Sequence, residues 1–340
     1  VNGYFTQKEE ESLASVDVFT GMFKEKADGY VFTSSNSYLG ALSMMPLQIP
    51  KLEELLKDNY SAFLLNFEDG KIVARSTSYP NKLVTSVLKE YPSPAVNLPL
   101  IEHYPSEHIN GLMLFSFNPE IAGGLMKQLE VEGLVNGFLE KAGLTSQDIY
   151  KSFKGDIAVV LSDLGMAQPE PQAKKDESSM VHKKPVYKMV LNIPVGDKAS
   201  FFKLMDKAIA QGLLVKQGSV YKGGMLLSMV GMYLQADDKN LVLASDSLTY
   251  TQYMANTGKA VIDQEMLNRF SGKTGVLYFD IANTLNSFIQ EAGEGGYHNS
   301  MKTARETFKD VIATSDKFDG KSTKGVFELR MQNEKQNSLV

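Results

Sequence analysis

Three short motifs in the second half of the chain could together perform serine acylation. Ser219 and Lys222 have the S-x-x-K spacing of serine β-lactamases and penicillin-binding proteins, in which the lysine helps to activate the serine. Ser245-Asp246-Ser247 differs by one residue from S-D-N, and Lys273-Thr274-Gly275 matches K-T-G. The three motifs also follow one another in the order that such an enzyme requires.

The spacing of these motifs argues against an enzyme of this class, because a helical domain should separate them and only short segments do. Gly223-Gly224 follows Lys222 and predicts a hairpin, whereas the motif needs a helix N-terminus. The S-x-x-K pattern also occurs at Ser86–Lys89 and Ser200–Lys203, so this composition produces it readily. We interpret the motifs as a coincidence and predict no catalytic residue.

Metal and cofactor sites are equally poorly supported. His103 and His108, with Glu102 and Glu107 beside them, lie on a proline-rich loop, and their spacing does not place both imidazoles on one helix face. The glycine-rich segment 293–296 lacks the Lys-Ser/Thr of a phosphate loop, and we expect it to end a helix. We predict no metal ligand and no cofactor; two further histidines stand alone, His182 and His298.

The chain has 16 methionines, which could form an adaptable binding surface. Several of them fall inside apolar runs, and we therefore expect them to fill the core: Met113, Met189, Met225 and Met229. The most apolar run, 225–234, is too short to cross a membrane, since a spanning helix needs roughly 18 apolar residues or more. We predict that it supplies buried strands joined by a tight turn.

Composition sets the class of protein. The 340 residues are 43% hydrophobic and 22% charged, which is typical of a folded globular protein. The net charge of −5 and the lack of a basic run make nucleic acid an unexpected partner. The absence of cysteine excludes disulfides and thiolate metal sites within these residues.

Hydrophobic spacing predicts helices and hairpins in alternation. The first 27 residues indicate a helix, and Tyr30–Thr33 a strand. An apolar strand over 60–67, a turn at 68–71 and a return strand over 72–76 form a predicted hairpin. A helix containing Leu83, Val87 and Leu88, a strand over 111–117 and a helix opened by Pro119 follow.

A similar order recurs in the second half of the chain. The phrase FEDGKIVARSTS from Phe67 matches ADDKNLVLASDS from Ala236, and GLMLFSF from Gly111 matches GVLYFDI from Gly275. Apolar residues occupy matching positions in the two members of each pair, which predicts an internal duplication. Tight turns indicate antiparallel pairing, so we predict an α+β fold of two similar halves, with antiparallel sheets packed against helices.

We predict a first half over residues 1–165, a polar linker or long loop over 166–184, and a second half over 185–340. Residues 167–184 are polar, contain prolines and show no hydrophobic period. The strands on either side, 156–161 and 186–193, could pair across this segment. In that case the two halves share one sheet. A final hairpin is predicted from Ser315 to Met331.

The ends of the sequence suggest a fragment or a mature form. The chain begins with Val1, and residues 337–340 resemble a helix start that stops early.

Three segments stand out beside the repeat that the linker interrupts: Phe153–Leu161 (FKGDIAVVL), Lys324–Met331 (KGVFELRM) and Asn337–Leu339. Together they resemble the domain-of-unknown-function family 4836 of exported Bacteroidetes lipoproteins. The resemblance implies a removed signal peptide, a lipid anchor outside these residues, and a place in the periplasm or on the outer membrane. It supplies no activity and no site residues.

Three hypotheses follow. The leading one is a non-enzymatic cell-envelope domain that binds a partner or ligand, with a concave surface between the two similar halves as the expected site. The alternative is an envelope hydrolase with an unrecognised site, which predicts a deep pocket with convergent carboxylates or a serine near a base. The third is a structural spacer, which predicts one large apolar contact face.

Overall fold

A computed structural model describes residues 8, 12–42, 49–102, 104–106, 108–166, 185–256, 262, 264–289 and 296–339. The described strands form one antiparallel sheet of thirteen, in the order β1-β2-β3-β13-β12-β11-β4-β5-β6-β10-β9-β8-β7. Their bounds are β1 Gly29–Ser34, β2 Tyr60–Glu68, β3 Lys71–Tyr79, β4 Ile109–Ser116, β5 Asp156–Met166, β6 Pro185–Pro194, β7 Leu214–Gln217, β8 Val220–Gly223, β9 Tyr233–Ala236, β10 Asn240–Ala244, β11 Gly275–Asp280, β12 Phe308–Ser315 and β13 Thr323–Met331. The predicted α+β class is confirmed.

The helices lie between the hairpins. In chain order they are α1 Asp17–Met22, α2 Leu39–Leu42, α3 Leu52–Leu56, α4 Lys82–Glu90, α5 Glu120–Gln128, α6 Glu132–Glu140, α7 Ser146–Tyr150, α8 Lys198–Ala210, α9 Met225–Met229, α10 Ser247–Met254, α11 Gln264–Phe270, α12 Ile281–Ile289 and α13 Gly296–Thr307. None of the helices in the described ranges is both long enough and apolar enough to cross a membrane.

Local turn chemistry fixes the hairpins. The β2–β3 turn contains Gly70 with φ +71°, a left-handed conformation that favours glycine. A Cβ atom there would also lie 2.6 Å from the Cα atom of Glu334, so the C-terminal segment packs closely against this turn. The predicted β2–β3 hairpin is confirmed, and β5 pairs with β6, which is the arrangement that the sequence left open.

The strands of the two predicted halves are interleaved in this sheet. On one side of the β11–β4 junction the order is β11, β12, β13, β3, β2, β1, and on the other it is β4, β5, β6, β10, β9, β8, with β7 as an additional edge strand. The segments matched by sequence, β2–β3 with β9–β10 and β4 with β11, therefore occupy equivalent places on opposite sides. This order supports the duplication, which stays a prediction.

The main core lies between the centre of the sheet and the helices α10 and α11. Leu112, Leu114, Val160, Val190 and Ile312 point from the strands into this core. From the other side it is closed by helix and loop residues that include Tyr104, Tyr253 and Phe270. We call this side of the sheet the covered face. At the β7 end, helix α8 packs on the opposite side of the sheet through Phe201 and Met205.

Three local predictions are wrong. Residues 225–234 do not form two buried strands: 225–229 form helix α9, because helical spacing places Met225 and Met229 on one outward side. The helix predicted over the first 27 residues is only the six-residue α1, and residues 1–7 and 9–11 lie outside the described ranges. Asn337 begins no helix, since it forms a β-bridge with Asp69.

Candidate functional site

The three acylation motifs do not meet in one site. Ser219 lies in the exposed β7–β8 turn, Ser245 follows strand β10, and Lys273 precedes strand β11. Strands β6, β5 and β4 separate β10 from β11, which places them roughly 19 Å apart at ~4.8 Å per strand.

The residues of the second motif have local structural roles. Asp246 caps helix α10, because its carboxylate accepts hydrogen bonds from the Thr249 N–H (2.8 Å) and the Thr249 hydroxyl (2.6 Å). Burial by itself would raise the pKa of Asp246, but these bonds lower it overall. The Ser245 hydroxyl donates to the same carboxylate (2.9 Å) and accepts from the Met189 N–H.

The histidines do not form a metal site in the described ranges. His103, Glu107 and His182 lie outside those ranges, His108 is exposed in front of β4, and His298 is on α13. No group of three or more His, Cys, Asp or Glu side chains close enough to hold a metal occurs among the residues that are described.

The covered face carries charged groups, and each has a fixed partner. The buried Asp310 accepts two hydrogen bonds of 2.6 Å from the guanidinium of Arg330. Glu328 accepts from Lys71 (3.0 Å) and from Arg269. Burial by itself would raise the pKa of Glu328, but these two cations lower it overall. These charges therefore stabilise the fold. Both carboxylates are engaged by cations and are not free to act as a catalytic acid or base.

Asp280 is the carboxylate on this face that comes nearest to a catalytic acid. Burial raises its pKa, and the negative charge of Asp310 adds to the effect. Its side chain accepts a hydrogen bond of 2.8 Å from the Asn283 N–H in the first turn of α12. It has the local role of a helix cap. Its other oxygen accepts a hydrogen bond from the Tyr278 hydroxyl (3.4 Å), and the nearby His108 lowers its pKa slightly against the effect of burial.

A cleft of about 680 Å³ lies between α1 and β1, near the described start of the chain. Two of its polar groups are held by a third: Asp58 accepts from Tyr60 (2.9 Å) and from Asn36 (3.0 Å) through the same oxygen. Among the described residues its lining offers no serine paired with a histidine or lysine base, so the cleft does not have the arrangement expected of a hydrolase.

The opposite face of the central strands carries a continuous apolar row. The register places Phe327 beside Ala313, Ala313 beside Leu277, Leu277 beside Met113, and Met113 beside Val159. The row thus crosses β13, β12, β11, β4 and β5, a width of roughly 19 Å.

Two flanking rows complete a patch of three rows of five residues. One flanking row is Gly325, Ser315, Gly275, Phe115 and Ile157, and the other is Leu329, Val311, Phe279, Gly111 and Leu161. No member of the three rows is charged. We call this patch the open face.

The open face is in contact with solvent. Five of its large side chains are 36–45% exposed: Met113, Phe115, Leu277, Phe279 and Phe327. One ring carbon of Phe279 lies 3.2 Å from where a Cβ atom of Gly111 would stand, so the glycine allows the ring to approach the backbone of β4 closely. A shallow groove of about 240 Å³ borders it, lined by Phe63, Ala74, Ser76 and Phe327. The volume of this groove is below the ~300–1,000 Å³ of ordinary small-molecule sites.

The sequence prediction missed this surface. Met113 was expected in the core and is 41% exposed. A signal was nevertheless available, because β4, β5 and β11 carry apolar residues at successive positions and not only at alternate ones. In an antiparallel sheet such strands need apolar cover on both faces.

The comparisons with known proteins identify a family and nothing closer. The model of the family described as Domain of unknown function (DUF4836) matches residues 2–339. No curated protein and no solved structure matches the chain.

Proposed function

We propose that this chain, which belongs to the DUF4836 family, is a non-enzymatic binding domain that docks a protein partner on its open face. The observation that carries the proposal is the uncharged patch of three strand rows, with five large apolar side chains 36–45% exposed. The largest exposed apolar patch of a monomeric soluble protein, on the order of a few hundred Å², is often a functional surface.

The expected gain on docking is large enough to matter. A large apolar side chain can bury ~150–250 Å², so one that is about 40% exposed leaves roughly 60–100 Å² in water. At ~25 cal/mol per Å², covering it stabilises a complex by about 1.5–2.5 kcal/mol for each side chain. Five such side chains would form the apolar centre of an ordinary protein interface.

The partner should present an apolar and uncharged protein surface. Charged groups are depleted at the centre of protein interfaces, and the open face offers no charge with which to pair them. The patch measures roughly 19 Å by 13 Å, which is the size of an interface centre and not of a whole interface of ~800 Å² per partner. We expect the neighbouring strands β2, β3 and β6 to supply the rim.

We also propose that the protein acts in the cell envelope. The support is the resemblance of Phe153–Leu161 and Lys324–Met331 to exported lipoproteins. Fractionation of cells that express the native gene, with detection by antibody, tests this part. Recovery in the cytosol would overturn the location and leave the binding surface to be judged separately.

The binding experiment uses site-specific photo-cross-linking in native cells. A photoreactive phenylalanine analogue replaces Phe115 or Phe327, with Leu248, an exposed apolar residue outside the patch, as the matched control position. We expect one discrete cross-linked protein from the two open-face positions and not from the control. A Met113→Lys/Leu277→Lys variant should fold normally and lose this product.

Either of two results would contradict the proposal: an identical product from Leu248, or an unchanged product in the double-lysine variant. The prediction that the protein is no enzyme is part of the proposal and is checked separately. A penicillin-based acylating probe should fail to label Ser219, and labelling that disappears in Ser219→Ala would contradict it.

A further inference from the structure

A second apolar surface lies at the far edge of the sheet, away from the open face. Its side chains are 46–78% exposed, a larger fraction than anywhere on the open face. We call this surface the apolar tip; it consists of Leu213, Val215, Met225, Leu226, Met229 and Val230.

These residues are held together by the start of helix α9. The Gly224 N–H donates to the Leu213 carbonyl (2.9 Å), which fixes the helix beside the loop that leads into β7. On the inner side, Leu227 packs against Gly223. The helix is therefore apolar on its inner and its outer side, and the outer side is solvent-exposed.

The segment that forms the apolar tip carries charge of one sign, although Asp206 of helix α8 lies beside it and accepts a hydrogen bond from the Tyr221 hydroxyl (3.2 Å). Residues 211–235 contain Lys216 and Lys222 and no acidic residue, although the whole chain has a net charge of −5. Neither lysine forms an ion pair with a carboxylate of the described ranges, and the Lys216 ammonium lies 5.1 Å from the centre of the Tyr221 ring. Exposed apolar side chains flanked by lysines are typical of segments that lie in a membrane interface.

We propose that the apolar tip inserts into the interfacial region of an anionic lipid bilayer, with Lys216 and Lys222 at the level of the headgroup phosphates. The tip lies at the edge of the sheet, where the start of strand β7 meets helix α9. A fluid bilayer can surround the apolar side chains of the tip whatever their arrangement. A protein partner would need a surface of complementary shape. The local positive charge selects a negatively charged surface.

This inference is independent of the proposed function. Strand β7 lies five strand spacings, roughly 24 Å, from β5 at the border of the open face. A domain held at a bilayer by the tip would therefore keep the open face free for its partner. It would also give the domain a membrane contact in addition to any lipid anchor.

The experiment is co-sedimentation of the purified chain with phosphatidylcholine vesicles that contain or lack phosphatidylglycerol. We expect binding only to the vesicles that contain phosphatidylglycerol, and a loss of tenfold or more in a Leu226→Asp/Met229→Asp variant. Lys216→Gln and Lys222→Gln should each weaken binding about fivefold. A Leu277→Asp variant on the open face is the matched control and should bind like the wild type.

Three results would overturn the inference. One is failure of the wild type to sediment with anionic vesicles. The second is wild-type binding by the Leu226→Asp/Met229→Asp variant with its thermal unfolding unchanged. The third is loss of self-association, and not of vesicle binding, in that variant, because the tip would then contact a second copy of the chain.

Discussion

The two faces of the central strands differ in a way that hydrophobicity alone does not explain. Leu114 and Phe115 are consecutive on β4, yet Leu114 is 1% exposed and Phe115 45% exposed. Both are strongly apolar, and the pleat simply sends them to opposite sides. Helices cover the side that receives Leu114, whereas large side chains on the other side are in contact with solvent. Burial is thus decided by what packs on a face.

The placement of charge is also the reverse of a simple expectation. The covered face holds Asp310, Arg330 and Glu328 in ion pairs, whereas the three rows of the open face contain no charge. Buried charges are tolerated only when they are paired. An exposed face without a single charge is unusual and is what an interface centre requires. The comparison can be tested by changing one face at a time.

The largest effect is expected from Arg330→Met on the covered face. This change leaves the carboxylate of Asp310, which is 3% exposed, without its partner and should cost about 3–5 kcal/mol in the free energy of unfolding. Urea denaturation measures the loss. Lys198→Met, which breaks an exposed pair with Asp238, is the control and should cost about 1 kcal/mol or less. If Arg330→Met and Lys198→Met lost the same amount of stability, burial on the covered face would make no difference to the strength of an ion pair.

The next effect compares the same substitution on the two faces. Leu114→Ala should cost about 2–5 kcal/mol, because it opens a cavity in the main core. Leu277→Ala should cost about 1 kcal/mol or less, because that side chain is 41% exposed. Denaturation of both variants in the same buffer is the measurement. A cost for Leu277→Ala as large as that for Leu114→Ala would mean that the open face is covered within the chain.

A smaller effect is expected from Glu328→Gln, and it should depend on pH. The pKa of Glu328 is lowered in the fold, so its stabilising contribution is present above the ordinary value of 4.5 and is lost as the pH falls through the folded value. The variant should be about 1–3 kcal/mol less stable than the wild type at neutral pH. The difference in stability between this variant and the wild type should disappear at acidic pH. The open face has no titratable group, so the cost of Leu277→Ala should be the same at every pH.

The smallest effect is expected from Asp280→Asn, and it has the opposite sign. The pKa of Asp280 is raised in the fold, mainly by burial, so the fold favours the protonated acid. This contribution is present below the ordinary value of 3.8 and is lost as the pH rises through the folded value. Asparagine keeps the cap of α12 without the charge. The variant should therefore gain stability relative to the wild type as the pH rises from 4 to 7, and a relative loss over that range would contradict the assignment.

Some features of the fold could be predicted because their signals are local. The turn at 68–71, with its glycine, predicts the β2–β3 hairpin. The polar turn at 237–239 predicts the β9–β10 hairpin for the same reason. Other features could not be predicted from local pattern. The segment 225–229 is short and apolar, and periodicity alone does not distinguish a buried strand from a helix of that length.

The sequence by itself determined the α+β class, most of the hairpins and the membership of the family, because turn residues and apolar periods act over a few neighbouring positions. Only the tertiary structure decided which apolar residues stay in contact with water. Met113 and Leu112 belong to the same apolar run, and their burial depends on helices far away in the chain that pack on one side of β4. The candidate site is therefore a property of the assembled sheet, since strands from both halves of the chain are needed to bring its rows together.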